Sequence, residues 1–480
     1  MSSQRSPQDS HPAQRIHAFT DDVLADHDAV ALAELVRRGD VSARELAEAA
    51  IQRVEKVNGA LNAVQLADYE RALEQAAQPA SGAFAGVPTF IKDNTDIAGL
   101  PTRHGSLAVP ATPAAADGAF TRQFRAMGLT VLGKTTLPEF GFSASTEHQS
   151  RAPTCNPWHT DHSAGGSSGG SAALVAAGAV PFAHANDGGG SIRIPAACCG
   201  LVGLKATRDR FVTNEMAKTL PVNVICDGVV TRSVRDSAHF CAAAERYRPN
   251  RKLPAIGLVE GPGNNKLRIG LITDSLTARS CEQTRATLLA TADLLTQQGH
   301  KVEPMLIPVK PGFVDDFSDY WGFLAFMASR FGKHNFGAGF DAELLDDLSK
   351  GLAQRFARRG WRFPMAIWRL KRTAQQHARG MRQYDAILSP VLAHVPPPLG
   401  HLNPAQPFEQ LFERLQNYVG FTPVNNANGS PAISLPMGLS REGVPIAVQL
   451  SAAHGAERTL LELAYQLEAL NPWPRITDPA

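Results

Sequence analysis

Acidic and basic residues nearly cancel in this chain, 45 against 47, leaving a formal charge of +2 over 480 residues. That balance carries no signal for a nucleic acid or a membrane surface. Cysteine is scarce, with six residues: Cys155, Cys198, Cys199, Cys226, Cys241 and Cys281. No C-x-x-C pair occurs, and the neighbours Cys198 and Cys199 are poorly placed to bridge each other. The reading is reduced thiols in a cytosolic protein rather than a disulfide scaffold. No apolar run approaches the ~20 residues of a membrane span. No H-E-x-x-H or similar ligand spacing supports zinc. The opening M-S-S-Q-R-S-P-Q-D-S-H-P-A-Q-R lacks the apolar segment of a secretory signal. Its polar composition predicts a disordered tail over residues 1–19.

What the chain does have is glycine and serine packed into one stretch, Ser163 to Arg208. Glycine runs cost backbone entropy and add nothing to a core. A flexible linker fits poorly, because Ala172–Ala179 reads as a helix and Val180–Ala185 as a buried strand. Two glycine-serine loops around such a segment read as an active-site loop pair. The residues alone leave Ser167, Ser168 and Ser191 open as nucleophiles. Gly166-Ser167-Ser168-Gly169-Gly170 fits G-x-S-x-G, but that elbow needs a strand immediately before it, and residues 156–162 read as a loop. His159, His162 and His184 are available for a histidine-based site, yet each also reads as a loop or core residue.

Two other segments carry chemistry. In Gly86–Asn94, the apolar Phe90-Ile91 delivers Lys92 and Asp93 to a strand end. Lysine is rarely buried without a partner, so the choice lies between a Lys92–Asp93 surface pair and a functional amine. Gly128–Thr135 matches G-x-x-x-x-G-K-[ST], but Leu-Thr-Val-Leu between the glycines is itself the strand, which removes the open amides of a phosphate loop.

Elsewhere the patterning is ordinary for an α/β molecule. Ser42-Ala43-Arg44-Glu45 is a capping box, opening a helix that Asn58-Gly59 is expected to close. Strands at Leu267–Ile272 and Val302–Ile307 flank a helix at Cys281–Gln298, a βαβ arrangement implying a mostly parallel sheet. Pro311 to Gln383 is helical. Its Phe317, Tyr320 and Trp321 fit either core packing or a pocket wall, and Arg355, Arg358, Arg359, Arg362, Arg369 and Arg372 read as a solvated face. Strands at Tyr384–Pro390 and Val444–Leu450 and a helix at Glu457–Leu467 complete the chain. No repeat or long linker appears, so residues 20–478 are read as a single domain.

Together several segments resemble the amidase signature family: G-V-P-T-F-I-K-D (Gly86–Asp93), V-L-G-K-T-T-L-P-E-F (Val131–Phe140), G-G-S-S-G-G-S (Gly165–Ser171), D-G-G-G-S-I-R-I-P-A (Asp187–Ala196), C-G-L-V-G-L-K-A-T (Cys199–Thr207) and N-G-S-P-A-I-S-L-P (Asn428–Pro436). The resemblance spans roughly residues 25 to 475 and implies a mixed, mostly parallel sheet covered by helices on both faces. It implies a triad of Ser191 as nucleophile, Ser167 as bridging cis-serine and Lys92 as base. It further implies an oxyanion hole from the amides of Gly188, Gly189, Gly190 and Ser191, with Asp187 and Arg193 holding the loop. Neither a cofactor nor a metal is implied.

The implied chemistry is amide hydrolysis through an acyl-enzyme, with a small-molecule amide as partner; a homodimer is left open. Lysine is a base only when neutral, so burial must lower it by roughly 3 units from near 10.4, about 4 kcal/mol. The loop looks most like the branch of 6-aminohexanoate-cyclic-dimer hydrolases, and residues 311–383 are then an insertion shaping the pocket, favouring an apolar or aryl acyl group. Ala206 replaces a common proline, and Gly188 and Gly228-Val229 depart from the usual loop residues. Ile194 stands where ammonia-releasing amidotransferase subunits typically carry glutamine, which argues against that alternative. Acyl transfer to an amine remains a variant of the same chemistry.

Overall fold

The computed structural model describes residues 15–79, 81–213 and 215–479. Residues 1–14 of the expected tail lie outside the described residues. The remainder of it is packed. Ile16 N donates to Pro157 O and Ala18 N to Ala177 O, each at 2.8 Å. Ala18 is fully buried, and the Phe19 ring sits within cation–π range of Arg53 and Arg232. Three apolar side chains at its end outweigh the polar composition of the segment.

Strands β1 (Val64–Ala67), β2 (Pro88–Lys92) and β3 (Thr130–Thr135) form a small sheet in the order β1-β3-β2. A ribbon of β4 (Cys155–Asn156) and β5 (His159–Ser163) follows. The remaining strands are β6 (Phe182–Asp187), β7 (Val202–Lys205), β8 (Cys226–Thr231), β9 (Arg268–Leu271), β10 (Lys301–Pro304), β11 (Ala386–Pro390), β12 (Ala432–Leu439) and β13 (Pro445–Ala452). They build one sheet in the order β10-β9-β11-β13-β12-β7-β8-β6. Helices Val234–Tyr247, Glu282–Gln297 and Glu457–Leu470 pack against it, so the molecule is α/β with a mixed sheet.

The proportion of parallel pairs differs from expectation. Within the eight-stranded sheet only β9 pairs in parallel, with β10 and with β11; the other five neighbour pairs are antiparallel. Parallel neighbours need a long crossover, which the helix Glu282–Gln297 supplies between β9 and β10. Of the antiparallel neighbours only β7–β8 and β12–β13 are consecutive along the chain; the others are joined through intervening strands. Strands β12 and β13 form a hairpin whose turn is closed by Ser440 N donating to Val444 O at 2.8 Å.

Local sequence explains most boundaries. Ser42 Oγ accepts from Glu45 N, and Glu45 Oε2 accepts from Ser42 N at 2.8 Å, so the capping box forms. The helix it opens runs past Asn58-Gly59 to Leu61 and ends on Asn62, whose φ of 49° is left-handed. Asn58 instead uses its Oδ1 to accept from Ala63 N and Val64 N, closing the turn from inside the helix.

The arginine-rich helices also differ. Arg355, Arg359 and Arg362 converge on the buried Asp319, and Arg369 pairs with Asp316. Helix Phe313–Arg330 is thereby fastened to helices Asp347–Arg359 and Phe363–Gly380. The exposed face retains Arg358 and Arg372, the latter over the Trp368 ring at 4.6 Å.

Candidate active site

The site begins at a strand end. All five residues of β2 are buried, including Lys92. Thr89 Oγ1 donates to Phe182 O at 3.0 Å and Lys92 N to His184 Nδ1 at 3.2 Å, which lays β2 along β6. Successive strand side chains face opposite ways, so Asp93 turns from Lys92 and pairs with the equally buried Lys134 at 2.7 Å. A Lys92–Asp93 surface pair does not form. The β6 residue His184 is itself buried beside Asp227, with Nε2 at 3.4 Å from its Oδ1.

Lys92 Nζ lies 2.7 Å from Ser167 Oγ, 2.7 Å from Asn186 Oδ1 and 3.0 Å from Ser168 Oγ. Burial lowers this amine to about 7, against the pull of Asp227 and Asp187, which favour its charged form. Ser167 follows a cis peptide from Gly166 and precedes the buried helix Gly169–Ala176. A side chain at Gly141, which has a φ of 72°, would place Cβ 2.9 Å from Ser167 Oγ. Ser168 is also buried and donates to Ser191 O at 2.6 Å, coupling the two glycine-serine loops.

The loop carrying Ser191 is held from beneath. Asp187 Oδ1 accepts from Gly190 N at 2.7 Å and from Arg193 Nη2 at 2.9 Å, while Oδ2 accepts from Arg193 Nε at 2.9 Å. Burial alone would raise the Asp187 carboxyl; the Arg193 guanidinium overcomes this and holds it at about 2. Arg193 also donates to Gln449 Oε1 (2.8 Å) and Asn426 Oδ1 (2.7 Å). Thr422 Oγ1 donates to Gly189 O at 2.6 Å. A Cβ at Gly190, whose φ is 135°, would stand 2.4 Å from that same Thr422 Oγ1.

One expected donor is therefore committed elsewhere. The amide of Gly190 serves Asp187, not the cavity. The amides of Gly188, Gly189 and Ser191 have no protein acceptor among the described residues. Removing the carboxylate would leave Arg193 charged and buried, a change worth about 3–5 kcal/mol in comparable pairs. Asp187→Asn is accordingly expected to lose that much unfolding free energy in a denaturant titration, and the loop geometry with it.

Ser167, Asn186 and Ser191 open on a cavity of about 650 Å³. Phe317, Tyr320 and Trp321 all line it, together with Phe140, Phe142 and Phe336 from other parts of the chain. Phe317 lies over Gly189. Tyr320 presents its ring, since its hydroxyl donates to Val222 O at 2.6 Å. Trp321 stacks on Phe412. His104 lines the cavity too, and burial, with Lys134 nearby, pushes it down to about 4. No aspartate, glutamate, lysine or arginine lines the cavity among the described residues. Asn186 and the aromatics at 140, 142 and 336 escape sequence reasoning; the signal for Asn186, Phe140 and Phe142 is their place in or beside the N-D-G-G-G-S and L-P-E-F segments, and Phe336 has none.

The amidase family model matches residues 45–461. A putative amidase AmiC of Mycobacterium tuberculosis is 48% identical over 468 residues, covering 97% of this chain and 99% of that protein. The 6-aminohexanoate-cyclic-dimer hydrolase of Paenarthrobacter ureafaciens is 34% identical over 485 residues, covering 94% and 97%. A solved structure of 6-aminohexanoate cyclic dimer hydrolase complexed with substrate superposes with a TM-score of 0.87 at 31% identity, covering 95% of this chain and all of that one. The chain belongs to the amidase signature family and is an amide-cleaving hydrolase.

Proposed function

We propose that the chain hydrolyses neutral carboxamides with an apolar or aryl acyl group, using Ser191 as nucleophile, Ser167 as proton bridge and Lys92 as base. The observation that carries this reading is the 2.7 Å approach of Lys92 Nζ to Ser167 Oγ, beside a cavity that Ser191 shares. Hydrogen-bond accounting gives the direction of proton flow. A neutral amine has two hydrogens and one lone pair. Asn186 Oδ1 can only accept, and Ser168 has spent its own hydrogen on Ser191 O. Both amine hydrogens are therefore used, and the lone pair faces the Ser167 hydroxyl.

In the proposed cycle Ser191 attacks the amide carbon while its proton passes to Ser167 and that of Ser167 to Lys92. The oxyanion meets the amides of Gly188, Gly189 and Ser191, each worth roughly 3 kcal/mol in the transition state. The proton returns through Ser167 to the leaving nitrogen, the C–N bond breaks, and an ester to Ser191 remains. Water then cleaves the ester by the same route, releasing the carboxylic acid.

The uncharged wall supports the substrate class. Glutamine carries an α-ammonium and an α-carboxylate, and burying either without a counter-charge is costly, so ammonia release from glutamine fits this cavity poorly. The test is a panel of anilides, alkyl amides, lactams, esters and glutamine, followed by mass spectrometry of the products. Neutral anilides or apolar amides are expected to turn over best. Preference for glutamine would refute the reading. An added amine that competes with water for the acyl-enzyme measures acyl transfer in the same assay.

A further inference from the structure

Apart from the catalytic end, the walls on helices Phe313–Arg330 and Phe408–Tyr418 are apolar, with Val314, Phe317, Trp321, Leu415 and Val419 facing the cavity. One polar pair interrupts them. Gln416 Nε2 donates to Ser318 Oγ at 2.9 Å, across the two helices. Both residues line the cavity, and Ser318 is buried. Thr277 Oγ1 donates to Gln416 O at 2.9 Å and so ties the end of that helix to the loop after β9.

The pair is incompletely used. Among the described residues no hydrogen bond engages Gln416 Oε1, and the Ser318 hydroxyl hydrogen has no acceptor. If the carboxamide is turned over, Ser318 donates to Oε1 and Nε2 is left open instead, an assignment set by the network rather than observed. Either arrangement leaves hydrogen-bonding capacity on a stretch of wall that is otherwise apolar along these two helices, with Thr277 and Asn335 also lining the cavity. Gln416 is half-buried, so a ligand group that pairs with it takes the place of water there. With no charged side chain on the wall, a carboxylate or ammonium has no counter-ion. A carboxamide offers both a carbonyl and an N–H, and so matches the pair in either arrangement.

We infer that Ser318 and Gln416 form a subsite for a second carboxamide on the substrate, separated from the scissile amide by an apolar spacer. This rests on the proposed use of the cavity for amide hydrolysis and narrows the substrate class to compounds carrying two amides.

The test uses anilides of graded acyl length, each prepared with a terminal methyl, carboxamide or carboxylate. At the matching length the carboxamide compound is expected to exceed the methyl compound in kcat/KM by about tenfold or more, mainly through KM, with the carboxylate compound poorest. Gln416→Leu and Ser318→Ala are expected to abolish that ratio, and Ser318→Thr, which keeps the hydroxyl, to restore it. Equal kcat/KM for the methyl and carboxamide compounds at every length would overturn the subsite. So would an equal loss for both compounds in Gln416→Leu, the mark of a packing role. Calorimetric binding of the two compounds to Ser191→Ala separates this question from turnover. Tighter binding of the carboxamide compound supports the subsite even where the wild type fails to cleave it, a failure that would count against the hydrolytic mechanism. Equal affinities overturn it.

Discussion

Ser191→Ala is expected to lower kcat by ~10⁴–10⁶-fold, the range seen when a serine nucleophile is removed from a working constellation. The fold should survive it. Ser191 is half-exposed, and the bond it receives from Ser168 goes to its main-chain oxygen, which alanine keeps. Unfolding free energy should therefore change by less than about 1 kcal/mol. Intact-mass spectrometry with a slowly released acyl group should show the adduct on the wild type and none on the variant. Ser168→Ala is the informative control. If it abolished turnover while Ser191→Ala kept the wild-type rate, the nucleophile would be Ser168 and the proton route would have to be redrawn.

The second large effect is tied to pH. With Lys92 near 7, kcat/KM should climb about tenfold per unit below that value and level off above it, because only the neutral amine accepts a proton. A flat profile over about pH 5 to 9 would remove lysine from the role of base. Lys92→Ala should cost ~10²–10⁴-fold in kcat. Stability should move in the same direction. Free lysine titrates near 10.4, so between about 7 and 10.4 the unfolded chain binds a proton that the folded chain does not. Where the unfolded state binds more protons, stability rises with pH. The folded protein therefore carries the full cost of a buried ammonium below about pH 7 and sheds it progressively above. Between pH 7 and 9 the wild type should gain about 2 kcal/mol relative to Lys92→Met, which has nothing to titrate there. Paired denaturant titrations at the two pH values measure this difference.

The residues that stand out in the sequence are those whose presence is anomalous for their surroundings. A lysine closing a buried strand and three glycines before a serine violate ordinary packing preferences, and both belong to the site. Ser168 and Asn186 violate nothing. Their importance comes from hydrogen bonds to Lys92 Nζ that depend on β2 lying along β6, a pairing no local pattern encodes. Gly190 shows the same limit: glycine spacing presents an open amide, but only the fold reveals that Asp187 occupies it. The aromatic wall was half legible. Periodicity groups Phe317 and Trp321, whereas Phe140 and Phe336 reach the cavity from segments nearly two hundred residues apart. The sheet's strand directions were the least legible part, since apolar runs locate strands without orienting them.

Arg193 joins its loop to Asn425, Asn426 and Gln449, partners 232, 233 and 256 residues further along the chain. A nascent polypeptide that has left the ribosome only through β8 already holds Lys92, Ser167 and Ser191. It holds Asp187 but not yet Asn425, Asn426 and Gln449, which complete the seating of the loop around Ser191. Contacts so distant in sequence form late, because the entropy of closing a long loop must be met before they contribute. Hydrolytic competence is thus expected only once the C-terminal strands are made, and a chain cut short before β13 should be inert although it carries Lys92, Ser167 and Ser191.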